Sequence, residues 1–256
     1  MIAKPAAKSR KGENGVLLAI GGSRLIHGAP LLAIRAAAKV ADIVYFHSPE
    51  KGNARLLRKM REKTSLFIAV EKKGLQKTIG KCDCVLMGNG LEVNGQNRRL
   101  VNGLLKRYLQ KRFVLDAGAL HLVEKKNLRG CIVTPHAGEF KALFGCEANE
   151  KSAKAVAKKF NCVVLLKKGR CFVTDGRRTY ANNNGNAGMT KGGTGDVLAG
   201  LTAALYCKNP AFESAKAAAW ANGRAGDLAC KRQGFAFDAE DLLVFIPEAL
   251  KAYGWR

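Results

Sequence analysis

Short runs of consecutive apolar residues alternate along the chain with longer stretches in which apolar residues recur every three or four positions. The short runs predict strands over residues 16–22, 42–46, 65–70, 84–88, 112–117, 130–134 and 162–167. The longer stretches predict amphipathic helices over residues 29–41, 53–63, 97–111, 138–145 and 150–160. Continuous apolar strands separated by such helices are typical of a parallel sheet with helices on both faces.

The pattern changes after residue 167. Two short strands, 171–175 and 177–181, are predicted to form a hairpin around Gly176, and a glycine-rich stretch follows them. Helical periodicity then fills the rest of the chain, over residues 196–207, 211–234 and 239–254. We therefore predict one α/β domain over residues 1–256, with a doubly wound, mostly parallel sheet and a helical C-terminal quarter. Residues 1–12 are predicted to be a flexible basic tail.

Composition narrows the class of protein. Hydrophobic residues make up 47% of the chain, but no apolar run reaches the roughly 18 residues that span a bilayer, so we expect no membrane segment. The basic N-terminus leads into a strand and not into the apolar core of a signal peptide. Most of the eight cysteines lie in apolar runs, as buried reduced thiols do, and a cytoplasmic location follows. Cys82 and Cys84 lack the further ligands of a zinc site.

The net charge of +24 is the unusual bulk property. A positive field attracts polyanions, whether nucleic acids, acidic membranes or phosphorylated metabolites. The 44 lysines and arginines are scattered over the whole chain, however, and do not alternate with aromatic residues in any one tract. Solvated helix faces are therefore favoured over a nucleic-acid interface.

The glycine-rich stretch carries the candidate chemistry. The residues GGTGD, 192–196, open a predicted helix, where glycines let several backbone N–H groups converge and the helix dipole favours an anion. Such a site can hold a phosphate, and Asp196 beside it can act as a base toward a substrate hydroxyl. Alternatively, Asp196 only stabilises the start of the helix. Neither GxxxxGK[ST] nor a GxGxxG after the first strand is present.

This Gly-Asp segment resembles the anion hole of the ribokinase-like superfamily. Together with TPHAGEF (134–140), LDAGAL (115–120), MGNGL (87–91) and GAPLLA (28–33), it makes almost the whole chain similar to the ADP/ATP-dependent NAD(P)H-hydrate dehydratase family. The resemblance implies a ribokinase-like fold in a stand-alone dehydratase domain, without the epimerase domain that often precedes it. It also implies repair of the S form of hydrated NADH or NADPH, through phosphorylation of the hydrate hydroxyl and elimination of phosphate.

The resemblance also assigns roles to individual residues. Asp196 would be the catalytic base, while His136, Gly90 and Ala29 would contact the hydrate. The implied partners are NADHX or NADPHX and an adenine nucleotide, ADP or ATP, with Mg²⁺. The nucleotide-binding residues would be Lys168, Gly169, Gly193, Thr194 and Gly195. Lys168 would neutralise phosphate charge, and Glu139 is a candidate for holding Mg²⁺, as an acid of this region does in related kinases.

Structural alternatives stand beside several of these roles. His136 follows Pro135 at a predicted helix start and can simply cap that helix, and Glu139 can complete the cap. Asp116 can cap the turn after its strand. One of Lys167 and Lys168 is expected to be solvated.

The chain departs from the family pattern at four positions. Asn89, Ala137 and Ala187 replace prolines, which should loosen loops without removing a functional group, and Gly118 replaces an acid.

Two other functions stay open from the sequence. One is a kinase of the same fold for a hydroxyethylthiazole, hydroxymethylpyrimidine or pyridoxal type of alcohol, and the other is a nucleic-acid-binding module that uses the net charge. The sequence is compatible with a homo-oligomer.

Overall fold

A computed structural model describes residues 2–50 and 65–255. The helix predicted over residues 53–63 lies outside the described residues. In the described part of the chain, nine strands form one sheet: β1 (Val16–Ile20), β2 (Ile43–His47), β3 (Ile68–Ala69), β4 (Cys84–Met87), β5 (Arg112–Leu115), β6 (Ile132–Val133), β7 (Val163–Lys168), β8 (Arg170–Thr174) and β9 (Thr179–Ala181).

The sheet has the order β3-β2-β1-β4-β5-β6-β7-β8-β9. Pairing is parallel from β3 to β7, with Leu17 opposite both Val44 and Cys84, and antiparallel for the β7–β8–β9 hairpins. The order of the strands reverses at β1, which lies between β2 and β4. This reversal is the topological switch point of a doubly wound sheet, where ligands bind beyond the carboxyl ends of the strands.

Helices cover both faces of the sheet. One layer contains α1 (Gly28–Ala37), α7 (Thr194–Tyr206), α8 (Ala211–Gln233) and α9 (Ala239–Ala252). The other contains α2 (Leu75–Lys81), α3 (Gly95–Arg107), α4 (Gly118–Leu122), α5 (Ala137–Phe144) and α6 (Glu150–Phe160). Strand β1 divides its side chains between two cores: Leu17 and Ala19 face the first layer, and Leu18 and Ile20 face the second.

These bounds confirm the predicted fold class, including the hairpin around Gly176 and the helical C-terminal quarter. The differences are local. Helices α2 and α4 were not predicted, because α2 is polar and carries a glycine and α4 is only five residues long. The predicted strand 65–70 reduces to two paired residues at the edge of the sheet.

Residues 2–12, predicted as a flexible tail, contact the domain at several points. Ile2 is buried, and the Trp255 indole N–H donates to the carbonyl oxygen of Ala3 at 3.0 Å. The backbone N–H of Gly12 donates to Asp42 at 2.8 Å. These contacts tie the segment to the domain at both ends. Within the described residues, no helix combines the length and the apolar character needed to cross a bilayer.

Candidate active site

The candidate site lies at the carboxyl edge of the sheet, where the loops after β4, β5 and β6 meet the end of β7 and the start of α7. The loops after β4 and β5 are nearly in contact: a Cβ at Gly88, whose φ is +126°, would lie 1.7 Å from the carbonyl oxygen of Asp116. Only glycine permits this approach. It brings the residue after Gly88, Asn89, to the same place as Asp116.

Helix α7 begins at this edge, and in the part of the chain that the structure describes no N-cap side chain bonds its first backbone N–H groups. Its N-cap is Gly193, with φ +95° and no side chain to cap the helix. The first N–H groups of a helix have no partner within it, so those of Thr194 and Gly195 belong to a ready anion site. The Thr194 hydroxyl contacts the Met189 and Lys191 carbonyls at 2.8 and 3.0 Å and thereby holds the glycine-rich loop. The start of α7 thus lies where the sequence predicts an anion hole, and phosphate binding there stays a prediction.

Asp196 lies in the first turn of α7, but it does not cap the helix. Its Oδ1 accepts a hydrogen bond of 2.6 Å from Nδ2 of Asn89, and Asn89 also donates to Oδ2 of Asp116 at 3.1 Å. No cap hydrogen bond joins the side chain of Asp196 to the described backbone at this helix start. A carboxylate in the first turn also stabilises the helix dipole, so the structural role of Asp196 stands beside its contact with Asn89.

Asp116 is the buried centre of the polar cluster. Its Oδ1 accepts from the Thr134 hydroxyl and from the Lys167 ammonium group, both at 2.8 Å, and its Oδ2 accepts from Asn89. A Cβ placed on Gly195 would lie 3.3 Å from Nζ of Lys167, so this ammonium group also lies beside the start of α7. The Lys167 ammonium group thus contacts the carboxylate of Asp116 and also lies beside the start of α7.

The electrostatics of the cluster suit proton transfer. Burial raises the pKa of Asp196 to about 6, as do the charges of Asp116 and Glu139, while the hydrogen bond from Asn89 and the charge of Lys167 lower it. Burial alone would lower the pKa of Lys167, but the neighbouring carboxylates, Asp116 first, raise it above its ordinary value. Lys167 is therefore a cation in this site, and a carboxylate with a pKa of about 6 can accept a proton at neutral pH.

His136 and Glu139 form a reciprocal cap at the start of α5. Nδ1 of His136 accepts from the backbone N–H groups of Gly138 and Glu139 at 3.0 and 3.3 Å, and Glu139 Oε2 accepts from the His136 N–H at 2.8 Å. The capping alternatives for both residues are thus present in the structure. They do not remove the predicted roles, because the His136 side chain is 59% exposed and its backbone pairs with Lys167. The substrate contact of His136 stays a prediction.

The two neighbouring lysines at the end of β7 point to different places. Nζ of Lys168 donates to the carbonyl oxygen of Ala148 at 2.9 Å, whereas the ammonium group that reaches Asp116 belongs to Lys167. Lys168 and Gly169 nevertheless line a cavity of about 250 Å³ together with Thr194 and Gly195. Four predicted nucleotide-binding residues therefore meet at one cavity, although the ammonium group beside Gly195 belongs to the other lysine of the pair.

Two of the predicted hydrate contacts, Ala29 and Gly90, belong to neighbouring segments. Ala29 is in the first turn of α1, and a Cβ on Gly90 would lie 3.2 Å from the Pro30 ring, so Gly90 adjoins this turn. A second cavity, of about 260 Å³, lies beyond the ends of β1 and β2, and Gly22 and Glu92 are among the residues that line it. Neither Ala29 nor Gly90 lines this second cavity, so their contact with a hydrate stays a prediction.

Sequence reasoning missed Asn89 and Lys167. From the sequence, Asn89 is only a residue that replaces a turn proline. Nothing in the local sequence shows that its amide reaches Asp196, 107 positions later. Strand alternation contained a signal for Lys167, because neighbouring residues of a strand face opposite sides of the sheet. Only one of the two lysines can face the cluster.

The described residues do not contain a group of three or more His, Cys, Asp or Glu side chains placed to enclose a metal ion. This does not conflict with Mg²⁺, which proteins commonly hold through one or two carboxylates, with water and substrate phosphates completing the shell. Oε2 of Glu139 is used in the helix cap, while Oε1 makes only a 3.6 Å contact with His136. Glu139 therefore fits a metal held through water.

A doubly wound sheet, an anion site at a late helix and a carboxylate beside it define a ribokinase-like enzyme fold. The chain belongs to the NAD(P)H-hydrate dehydratase family, whose sequence profile matches residues 17–248. The predictions of the fold class and of the family are thereby confirmed.

Individual relatives with the same function in their names are similar to almost the whole chain. The chain is 38% identical to the ADP-dependent (S)-NAD(P)H-hydrate dehydratase of Nitrosopumilus maritimus, with 96% of this chain and 92% of the relative covered. It is 35% identical to the protein of the same name from Cenarchaeum symbiosum, with 96% and 91% covered. The fold matches the crystal structure of the Bacillus subtilis ADP/ATP-dependent NAD(P)H-hydrate dehydratase, co-crystallised with ATP and Mg²⁺, at a TM-score of 0.80 and 23% identity. That match covers 98% and 94% of the two chains.

Proposed function

We propose that this protein dehydrates the S form of hydrated NADH and NADPH to the usable coenzymes, using an adenine nucleotide as phosphoryl donor. Membership of the family and the names of the relatives support this reaction. The observation that carries the proposal is the position of Asp196: its carboxylate lies in the first turn of α7, beside the unpaired backbone N–H groups and the Lys167 ammonium group. A proton acceptor and a phosphate cradle thus adjoin each other.

The nucleotide belongs in the cavity beyond β7 and β8. There Lys168 and Gly169 form one wall, Thr194 and Gly195 form another, and the terminal phosphate would lie against the N–H groups at the start of α7. Lys167 would neutralise the charge that develops on the transferring phosphoryl group. The hydrate belongs on the side of Gly90 and Ala29, with its hydroxyl toward Asp196.

The chemistry then follows in two steps. Asp196 accepts the proton of the hydrate hydroxyl while that oxygen forms a bond to the terminal phosphorus, and the bond from phosphorus to the bridging oxygen of the nucleotide breaks. In the second step the carbon–oxygen bond breaks and phosphate leaves with the electron pair. Water accepts the proton that leaves the adjacent carbon, and the electron pair of that carbon–hydrogen bond forms the ring double bond. Asp196 with a pKa of about 6 is mostly ionised at neutral pH and can accept the first proton.

Glu139 would hold Mg²⁺ through water, with the nucleotide phosphates supplying further oxygen ligands. When bound, the ion would offset the negative charge of the phosphates.

The test is incubation of the purified protein with Mg²⁺, ADP or ATP, and each of four substrates: NADH hydrate, NADPH hydrate, hydroxyethylthiazole and pyridoxal. We expect the absorbance of reduced nicotinamide to return in the presence of a hydrate, with one nucleotide consumed per coenzyme formed. Accumulation of a stable phosphorylated alcohol, with no return of nicotinamide absorbance, would instead identify a kinase.

The same experiment identifies the phosphoryl donor, because the rates of coenzyme formation with ADP and with ATP can be compared. A parallel titration with duplex and single-stranded oligonucleotides, at low and physiological salt, tests the nucleic-acid alternative. That alternative requires strong, salt-dependent binding that Asp196→Ala leaves unchanged.

A further inference from the structure

Asn89 connects the two carboxylates of the site and is itself buried, with 2% of its surface exposed. Its Nδ2 donates to Oδ1 of Asp196 at 2.6 Å and to Oδ2 of Asp116 at 3.1 Å. Both hydrogens of the amide are therefore used, one on each carboxylate. We propose that Asn89 is a positioning residue for Asp196, whose carboxamide fixes one carboxylate oxygen and leaves the other free for the substrate hydroxyl. This role rests on the proposed function of Asp196 as the base.

The orientation of the amide is determined by its partners. The reverse orientation would place the carbonyl oxygen against two carboxylates, which repel it. In the observed orientation, Oδ1 of Asn89 has no hydrogen-bond partner among the described residues. Burying an oxygen without a hydrogen-bond partner costs free energy. The two charge-assisted hydrogen bonds from Nδ2 are stronger than neutral ones and offset that cost.

The other charged groups around Asp196 come from three different elements. Asp116 follows β5, Glu139 is in α5 and Lys167 is in β7. The two carboxylates repel an ionised Asp196, whereas Lys167 attracts it, but Lys167 is already bonded to Asp116. Asn89 is the group that donates a hydrogen bond directly to Asp196 in the described site. Loss of this donor should disfavour the charged form of Asp196 and so raise its pKa. It should also let the carboxylate rotate.

The direct test is a ¹³C NMR titration of the Asp196 carboxyl carbon in the free protein, with the signal assigned by its absence in Asp196→Asn. Two variants remove the donor. Asn89→Leu keeps a similar volume and excludes water, whereas Asn89→Ala leaves room for a water molecule. We expect the midpoint to rise by about one pH unit in Asn89→Leu and by less in Asn89→Ala.

Asn97→Leu is the matched control, because it is the same change at another buried asparagine, whose amide donates to the Glu92 carbonyl oxygen and to neither carboxylate. The Asp196 midpoint should not move in this variant. If the midpoint in both Asn89 variants equals that of the wild type, or if Asn97→Leu moves it as far, the proposal is overturned.

Enzyme kinetics provide the second measurement. In Asn89→Leu the acidic limb of the pH profile of kcat/KM should shift upward by the same amount as the NMR midpoint. A merely structural role would lower kcat/KM equally at every pH. The NMR shift without any dehydratase activity in the wild type would refute the proposed function and leave the contact of Asn89 with Asp196 established. Activity without the NMR shift would refute only the role of Asn89.

Discussion

The substitution Asp196→Asn allows the catalytic role of this carboxylate and its effect on the stability of the fold to be measured separately. The replacement is isosteric, and its side-chain oxygen can still accept the hydrogen bond from Asn89. It cannot accept a proton, however, so general-base catalysis is lost. Such catalysis is typically worth 10²- to 10⁴-fold, and we expect kcat/KM for the hydrate to fall by about that factor, with little change in nucleotide affinity. The wild-type kcat/KM should decline below about pH 6 as Asp196 is protonated.

The same substitution should stabilise the fold. A carboxyl group whose pKa is raised from 3.8 to about 6 on folding binds its proton more tightly in the folded state. The folded state therefore loses stability as pH rises through this interval, and the full cost is present above about pH 6. Two pKa units correspond to about 3 kcal/mol, and partial solvent exposure of Asp196 reduces this to about 1–2 kcal/mol. Asparagine removes that cost.

Urea unfolding of both proteins at about pH 8 and about pH 4 measures this effect. The free energy of unfolding of Asp196→Asn should exceed that of the wild type at the higher pH, and the difference should vanish at the lower one. Glu248→Gln, which removes one negative charge from an exposed position of α9, controls for net charge. Wild-type-like turnover in Asp196→Asn would refute the base, and a stability difference independent of pH would refute the burial argument.

Three further substitutions test other parts of the site. Lys167→Met leaves the buried carboxylate of Asp116 without its cation and should reduce the free energy of unfolding by about 3–5 kcal/mol, while adding Asp116→Asn should restore part of the loss in urea titrations. Gly193→Ala places a Cβ 2.5 Å from a leucine of α1 at a φ of +95° and should lower both the melting temperature and the nucleotide affinity measured by calorimetry. Gly192→Ala, where a Cβ meets nothing within 4 Å, should change neither, and equal behaviour of the two variants would contradict the packing at the N-cap. Glu139→Gln keeps the helix cap, so its melting temperature should hold while the Mg²⁺ concentration for half-maximal activity rises; an unchanged Mg²⁺ requirement would exclude Glu139 from metal binding.

The sequence alone determined the class of fold, because strand and helix periodicities are local properties of the chain. Among the described residues, the apolar runs predicted β1 to β7 and the hairpin pattern predicted β8 and β9, while the glycines before Asp196 predicted an anion site at a helix start. These features depend on neighbouring residues, which the sequence shows directly. The family resemblance rested on motifs of the same local kind.

Only the tertiary structure decided which side chains act together. Asn89 reaches Asp116 because Gly88 lets the loop after β4 lie against the loop after β5, a contact between chain segments almost 30 residues apart. It reaches Asp196 because α7 begins at the same edge of the sheet, 107 positions later in the chain. Lys167, and not Lys168, reaches Asp116 because strand β7 turns that face toward the cluster. Hydrogen bonds and burial set the charge state of Asp196, and both depend on distances in space that the order of residues along the chain does not contain.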